Sequence, residues 1–82
     1  MSKKAGLNEY SYTVMYESLR EGGYQVIVPM LPGVITYGRD IDEAKEMARD
    51  AIQCYIEGLQ KEKDVVPTEQ SFLQEKLTIS FA

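Results

Sequence analysis

The strongest pattern in the sequence is a set of apolar residues at helical spacing that begins after Asp40 and extends to about residues 60–62. Asp40 is a favourable N-cap residue, and Glu43 follows three positions later, as in a capping box. The apolar positions share one face of the predicted helix: Ile41, Ala44, Ala48, Ala51, Ile52, Tyr55, Ile56 and Leu59. Alanines among them predict that a helix about 30 Å long lies close against a small sheet.

Four β-prone segments surround this helix. Residues 8–17, 24–28 and 34–37 precede it, and residues 77–81 follow it. In the longer segments apolar and polar residues alternate, which is typical of half-buried strands. The order predicts an α+β fold of β-β-β-α-β type, a small and mostly antiparallel sheet with one long helix packed on one face. The apolar faces of the first and last strands are Tyr10, Tyr12, Val14 and Tyr16, and Leu77, Ile79 and Phe81.

Glycine and proline mark the connections between the first three strands. The polar stretch 18–23 ends in two glycines and predicts a hairpin connection. Pro29 ends the second strand, because proline has no N–H to donate to a ladder. Pro32 followed by Gly33 suits a type II turn, in which proline presets one φ and glycine supplies a positive φ. Gly38 closes the third strand.

Length and composition restrict the class of protein. The 82 residues allow one small domain, with 44% hydrophobic and 27% charged residues, as in globular proteins. We expect residues 8–82 to form this domain and residues 1–7 to be a flexible tail. With one Cys the chain cannot form an internal disulfide, which favours a cytoplasmic location. No apolar segment approaches the ~20 residues that span a bilayer, so we expect no membrane contact.

Residues able to carry catalysis or bind a metal are few. The chain has no His, which removes the commonest general base and zinc ligand. Cys54 has no base to activate it and is predicted to fill the border of the helix's apolar face. The first strand carries no acid between Tyr10 and Tyr16, so carboxylates from different elements would not converge on a divalent metal. We therefore expect no enzymatic activity, no metal and no cofactor.

The negative charge is concentrated in one part of the chain. Nine Lys and Arg residues against 13 Asp and Glu residues give a net charge of −4, which disfavours direct nucleic-acid binding. Residues 40–64 hold eight acids and four bases, so they account for that whole net charge. Four acids cluster opposite the apolar face: Glu43, Glu46, Asp50 and Glu57. This cluster is either an ordinary solvated helix face or a docking surface for a basic partner.

A series of short motifs runs through residues 12–67. Its main members are Gly22, Gly23, Tyr24, Pro29, Leu31, Pro32, Gly33, Gly38, Glu43 and Ala44, with Asp40 as the helix cap. In this spacing the chain resembles the HicB-like antitoxin family, but it has Met30 where an acid is usual and Asp40 where the cap is usually Thr. The resemblance implies a degenerate ribonuclease-H-like fold without catalytic acids. It also implies a small basic HicA-type toxin partner, an mRNA-cleaving ribonuclease whose active site the antitoxin covers.

Two further expectations concern assembly. Many proteins of the resembled family add a C-terminal DNA-binding domain, and we expect none here because only Ala82 follows Phe81. The tyrosine-rich strand, the last strand and the small core predict a homodimer or higher homo-oligomer. The alternative to a toxin-binding antitoxin is therefore an orphan homo-oligomeric scaffold or regulatory domain without a toxin partner.

Overall fold

A computed structural model describes residues 9–71 and 73–82. Its elements are β1 (Met15–Ser18), β2 (Tyr24–Ile27), β3 (Ile35–Gly38) and α1 (Ile41–Lys61). The strands form one antiparallel sheet in the order β1-β2-β3, and α1 packs on one face of it. This architecture confirms the predicted α+β class and the order of its first four elements. The tail predicted for residues 1–7 lies outside the described residues.

The core lies between the sheet and the alanine face of α1. Val26, from the central strand, is fully buried against Ala44 and Ala48 of α1. A second cluster is formed by Val28, Leu31 and Val34, against which Ala51, Ile52 and Tyr55 of α1 pack. Small side chains on the helix therefore let Val26 of the sheet pack closely against α1, as the predicted alanine face requires.

The predicted turns are confirmed. In the hairpin between β1 and β2, the Leu19 N–H donates to the Gly23 carbonyl at 3.0 Å. The Val34 N–H donates to the Leu31 carbonyl at 3.0 Å, and Gly33 has a φ of +94°. Pro32 precedes that positive φ, so the four residues form the type II turn expected from the Pro-Gly pair.

The end of β3 brings the helix unusually close. Gly38 is buried, and a Cβ at this position would lie 2.8 Å from the Ala44 side chain and closer still to the Ala44 backbone. Only glycine leaves room for the first turn of α1 at this point. Gly38 and Ala44 thus act together to set the distance between helix and sheet.

β1 is shorter than the predicted first strand. The prediction covered residues 8–17, whereas the ladder begins at Met15, opposite Ile27. Continuing the same register would place Pro29 opposite Thr13, and proline cannot donate to the ladder. The alternation of apolar and polar residues before β1 indicates which side of the chain is covered. No strand of the described chain pairs with these residues.

The prediction of a last strand at residues 77–81 is wrong for the described chain. Leu77, Ile79 and Phe81 are 74%, 69% and 91% exposed, and no strand forms there. The physical reason is that no neighbouring strand of the same chain lies alongside this segment.

The prediction for Cys54 is also wrong. This residue is exposed on α1 and does not fill the border of the apolar face.

Candidate functional site

The four acids singled out in the sequence lie on the outer side of α1. At 100° per residue, Glu43, Glu46, Asp50 and Glu57 fall within about 60° of one another and opposite the alanine face. We call these four residues the acidic face. The helix positions them because its buried alanines fix the rotation of α1 on the sheet, which turns this side towards solvent.

Glu43 belongs to the helix cap as well as to the acidic face. The Glu43 N–H donates to Oδ1 of Asp40 at 2.8 Å, which confirms Asp40 as the N-cap. The Glu43 carboxylate does not return to the Asp40 N–H. It accepts from the Arg39 N–H at 2.6 Å and from the Arg39 guanidinium at 3.1 Å. The hydrogen bonds from the Arg39 guanidinium and then from its N–H lower the pKa of Glu43.

The other three acids are more available to a partner. Glu46 and Asp50 are exposed, and neither forms an ion pair among the described residues. Glu57 is also exposed, and one of its carboxylate oxygens accepts a hydrogen bond from Gln53 at 3.2 Å. The structure therefore groups the four predicted acids on one surface and engages Glu43 in a local ion pair with Arg39.

A groove that the sequence reasoning did not identify runs along the other flank of α1. We call it the tyrosine groove, because its sheet side is formed by Tyr10, Tyr12, Val14 and Tyr16. Its helix side includes two cations and several apolar residues: Lys45, Ala48, Arg49, Ile52 and Ile56. The alternating tyrosines of the sequence indicated one side of this groove. Lys45 and Arg49, which lie four residues apart on α1, are the feature that could have indicated its other side.

The chain after α1 crosses the start of this groove. The Tyr12 hydroxyl donates to the Pro67 carbonyl, and the Glu69 carboxylate accepts from both the Thr13 N–H, at 2.7 Å, and the Thr13 hydroxyl. We call residues 66–69 the return segment. Partial burial raises the pKa of Tyr12, with smaller contributions from Tyr10 and Glu69. Through these hydrogen bonds, the return segment connects the chain that follows α1 to the chain just before β1.

Known proteins similar to this chain place it in a family. A family model described as the HicB-like antitoxin of bacterial toxin-antitoxin systems matches residues 12–80. The chain belongs to the HicB-like antitoxin family. A UPF0150 protein of Synechocystis is 42% identical to this HicB-like chain over 60 residues, which are 73% of this chain and 76% of the relative.

A second relative covers more of both chains. A UPF0150 protein of Thermoplasma acidophilum is 37% identical over 68 residues, which are 83% of this chain and 94% of the relative. The resemblance found in the sequence motifs is therefore confirmed. Family membership also means that the partner expected of this antitoxin is a toxin.

Two observations concern other kinds of site. Among residues 9–71 and 73–82, no three Cys, His, Asp or Glu residues come together as metal ligands would. Over the same residues we find no helix with the length and apolar character needed to cross a bilayer.

Proposed function

We propose that this HicB-like protein binds a small basic HicA-type toxin in the cytoplasm and occludes its active site without catalysing a reaction. Family membership is the observation that carries this proposal, because the matching model describes an antitoxin. Inhibition then requires contact with the toxin, and neither direct nucleic-acid binding nor a cofactor is part of the proposed mechanism.

The acidic face is the proposed contact surface. Glu46 and Asp50 are exposed one helical turn apart, and Glu57 extends the same surface towards the end of α1. A surface of one sign attracts a basic partner and orients it on approach. Arg39 partly neutralises Glu43, so Glu46 and Asp50 supply most of the attraction in this proposal.

Calorimetric titration against a catalytically inactive form of a HicA-like toxin encoded beside the gene tests this proposal. We expect binding at micromolar concentration or tighter in low salt. The variant Glu46→Lys with Asp50→Lys should weaken binding by roughly tenfold or more, because attraction becomes repulsion. A matched control, Glu17→Lys with Glu21→Lys, changes the net charge equally on the β1 side and should bind nearly as well as the native chain.

Different results would contradict different parts of the proposal. No binding at micromolar concentration in low salt would reject the toxin partner. Equal losses in the two double variants would reject the acidic face as the contact while leaving toxin binding intact. An RNA-cleavage assay with added divalent metal tests the non-catalytic role, and we expect no cleavage.

The alternative function is an orphan homo-oligomeric scaffold or regulatory domain without a toxin partner. The exposed apolar side chains of Leu77, Ile79 and Phe81 favour self-association. Self-association is compatible with both functions, so the titration with toxin is the measurement that separates them.

A further inference from the structure

The C-terminal segment carries a pattern that its own chain leaves unused. Leu77, Ile79 and Phe81 are all largely exposed, and the polar residues Thr78 and Ser80 alternate with them. Such alternation is typical of a strand that covers an apolar surface with one of its sides. Large apolar side chains grouped on one exposed segment mark an interaction surface.

The tyrosine groove is an uncovered surface of matching character. Val14 and Tyr16 on one side and Ile52 on the other lie against the two core clusters, so the groove is continuous with the core. β1 lies at an edge of the sheet, beside this groove. An edge strand presents backbone N–H and C=O groups on its outer side, which can pair with an added strand.

In the described chain this segment does not dock alongside the β1 of its own chain, because Leu77, Ile79 and Phe81 stay exposed and no strand forms there. Glu69 is held at Thr13 by hydrogen bonds. Leu77 lies eight residues later, about 26 Å of extended chain, whereas Thr13 to Ser18 spans only about 17 Å. A straight continuation therefore carries residues 77–81 past the end of β1.

We propose that two copies of this chain exchange their C-terminal segments. Residues 77–81 of each copy add a strand to the β1 edge of the other and place Leu77, Ile79 and Phe81 in its tyrosine groove. The exchange is reciprocal, so it closes at two copies, as in a two-fold symmetric dimer. It supplies each small core with the strand that its own chain does not provide.

The exchange occupies a different surface from the proposed toxin contact. The tyrosine groove and the acidic face share only Glu57, at the rim of the groove, and Glu46 and Asp50 lie outside it. An exchanged dimer would therefore still present two acidic faces. For the same reason, failure to bind toxin and failure to exchange segments are separate results.

Light scattering coupled to size-exclusion chromatography tests the proposal on the full chain. At high micromolar concentration we expect twice the 9.3 kDa chain mass. The variant Ile79→Asp with Phe81→Asp should elute as a monomer, because it places charges in the groove. The matched control Thr78→Asp with Ser80→Asp adds the same charge to the other side of the segment and should remain dimeric. All four side chains are exposed within one chain, so circular dichroism should show the same helix content throughout.

Chemical cross-linking between differently labelled chains identifies the contact itself. In a Cys54→Ser background, one population carries Gln53→Cys at the groove and the other carries Leu77→Cys, on the side of the segment that enters the groove. A short bifunctional maleimide should join the two kinds of chain when they are mixed. A monomeric native chain, a dimer that survives Ile79→Asp with Phe81→Asp, or the absence of a cross-link between the two populations would each overturn the exchange.

Discussion

At the scale of single residues, Gly38 is the position where the helix comes closest to the sheet. A Cβ there would meet the backbone and side chain of Ala44. We predict that Gly38→Ala lowers the free energy of unfolding by about 2 kcal/mol or more, because neither β3 nor the first turn of α1 can yield without loss of packing. Chemical denaturation measures this change.

Gly58 provides the matched control for that substitution. It lies in α1, and nothing is within 4 Å of the position its Cβ would occupy. Gly58→Ala should raise the free energy of unfolding by about 0.5–1 kcal/mol, since alanine favours a helix. Equal destabilisation by the two substitutions would contradict the role given to Gly38.

The pair between Glu43 and Arg39 predicts a dependence of stability on pH. The folded chain lowers the pKa of Glu43, so the pair's contribution is complete above the ordinary glutamate pKa and is lost as pH falls through the lower, folded value. We predict that Glu43→Gln lowers the melting temperature near neutral pH. The difference from the native chain should shrink as the pH falls to about 3 and below.

Glu46→Gln is the control, because Glu46 is exposed on the same helix and forms no ion pair among the described residues. It should leave the melting temperature nearly unchanged at every pH. A loss in Glu43→Gln that stays the same from neutral to strongly acidic pH would show that the ion pair is not its cause.

At the scale of elements, the hydroxyl of Tyr12 fastens the return segment to the chain before β1. Tyr12→Phe removes the hydrogen bond to the Pro67 carbonyl. We predict a loss of about 1 kcal/mol in stability, together with faster hydrogen exchange at the Thr13 amide, which the same segment protects through Glu69. Denaturation and exchange measured by NMR test both parts.

Tyr10→Phe is the corresponding control. Tyr10 stacks on Tyr12 with ring centroids 6.4 Å apart, and the phenylalanine ring preserves this stacking. It should therefore change neither stability nor exchange at Thr13. If Tyr12→Phe behaved like Tyr10→Phe, the return segment would be held by other contacts.

The elements that depend on local chemistry could be predicted from the sequence. α1 begins after Asp40 as expected, because an N-cap side chain and helical spacing act within a few residues. The type II turn at Pro32 and Gly33 follows for the same reason. The short length of β1 and the lack of a strand at residues 77–81 in the described chain could not be predicted, because alternation shows which side is covered but not whether a partner strand is present.

The candidate site divides in the same way. Periodicity alone placed Glu43, Glu46, Asp50 and Glu57 on one face of α1, and the helix confirms that grouping. Two features were not predicted. The ion pair of Glu43 with Arg39 depends on the course of the chain before the helix. The tyrosine groove depends on how α1 lies beside β1.

At the scale of the whole molecule, segment exchange would make stability depend on concentration. An exchanging dimer is favoured by mass action, so its melting temperature rises with protein concentration. We predict such a rise for the native chain. The variant Ile79→Asp with Phe81→Asp should have a melting temperature independent of concentration, and calorimetry over a wide concentration range distinguishes the two behaviours.

The net charge of −4 also matters at this scale, because the segment 40–64 accounts for it. Attraction between exposed charges is screened by salt within about 10 Å at 0.1 M ionic strength. We predict that affinity for a basic toxin falls as salt increases. The fall should be shallower for Glu46→Lys with Asp50→Lys, and a salt-independent affinity would argue against an electrostatic contact.

The central claim is that this HicB-like chain acts as an antitoxin, and inhibition of the toxin's own activity tests it most directly. The measurement is cleavage of an mRNA substrate by the HicA-like toxin while the native chain is added in increasing amounts. Our account predicts that cleavage declines and stops near the equivalence point of the two proteins. Undiminished cleavage in the presence of excess chain would contradict it.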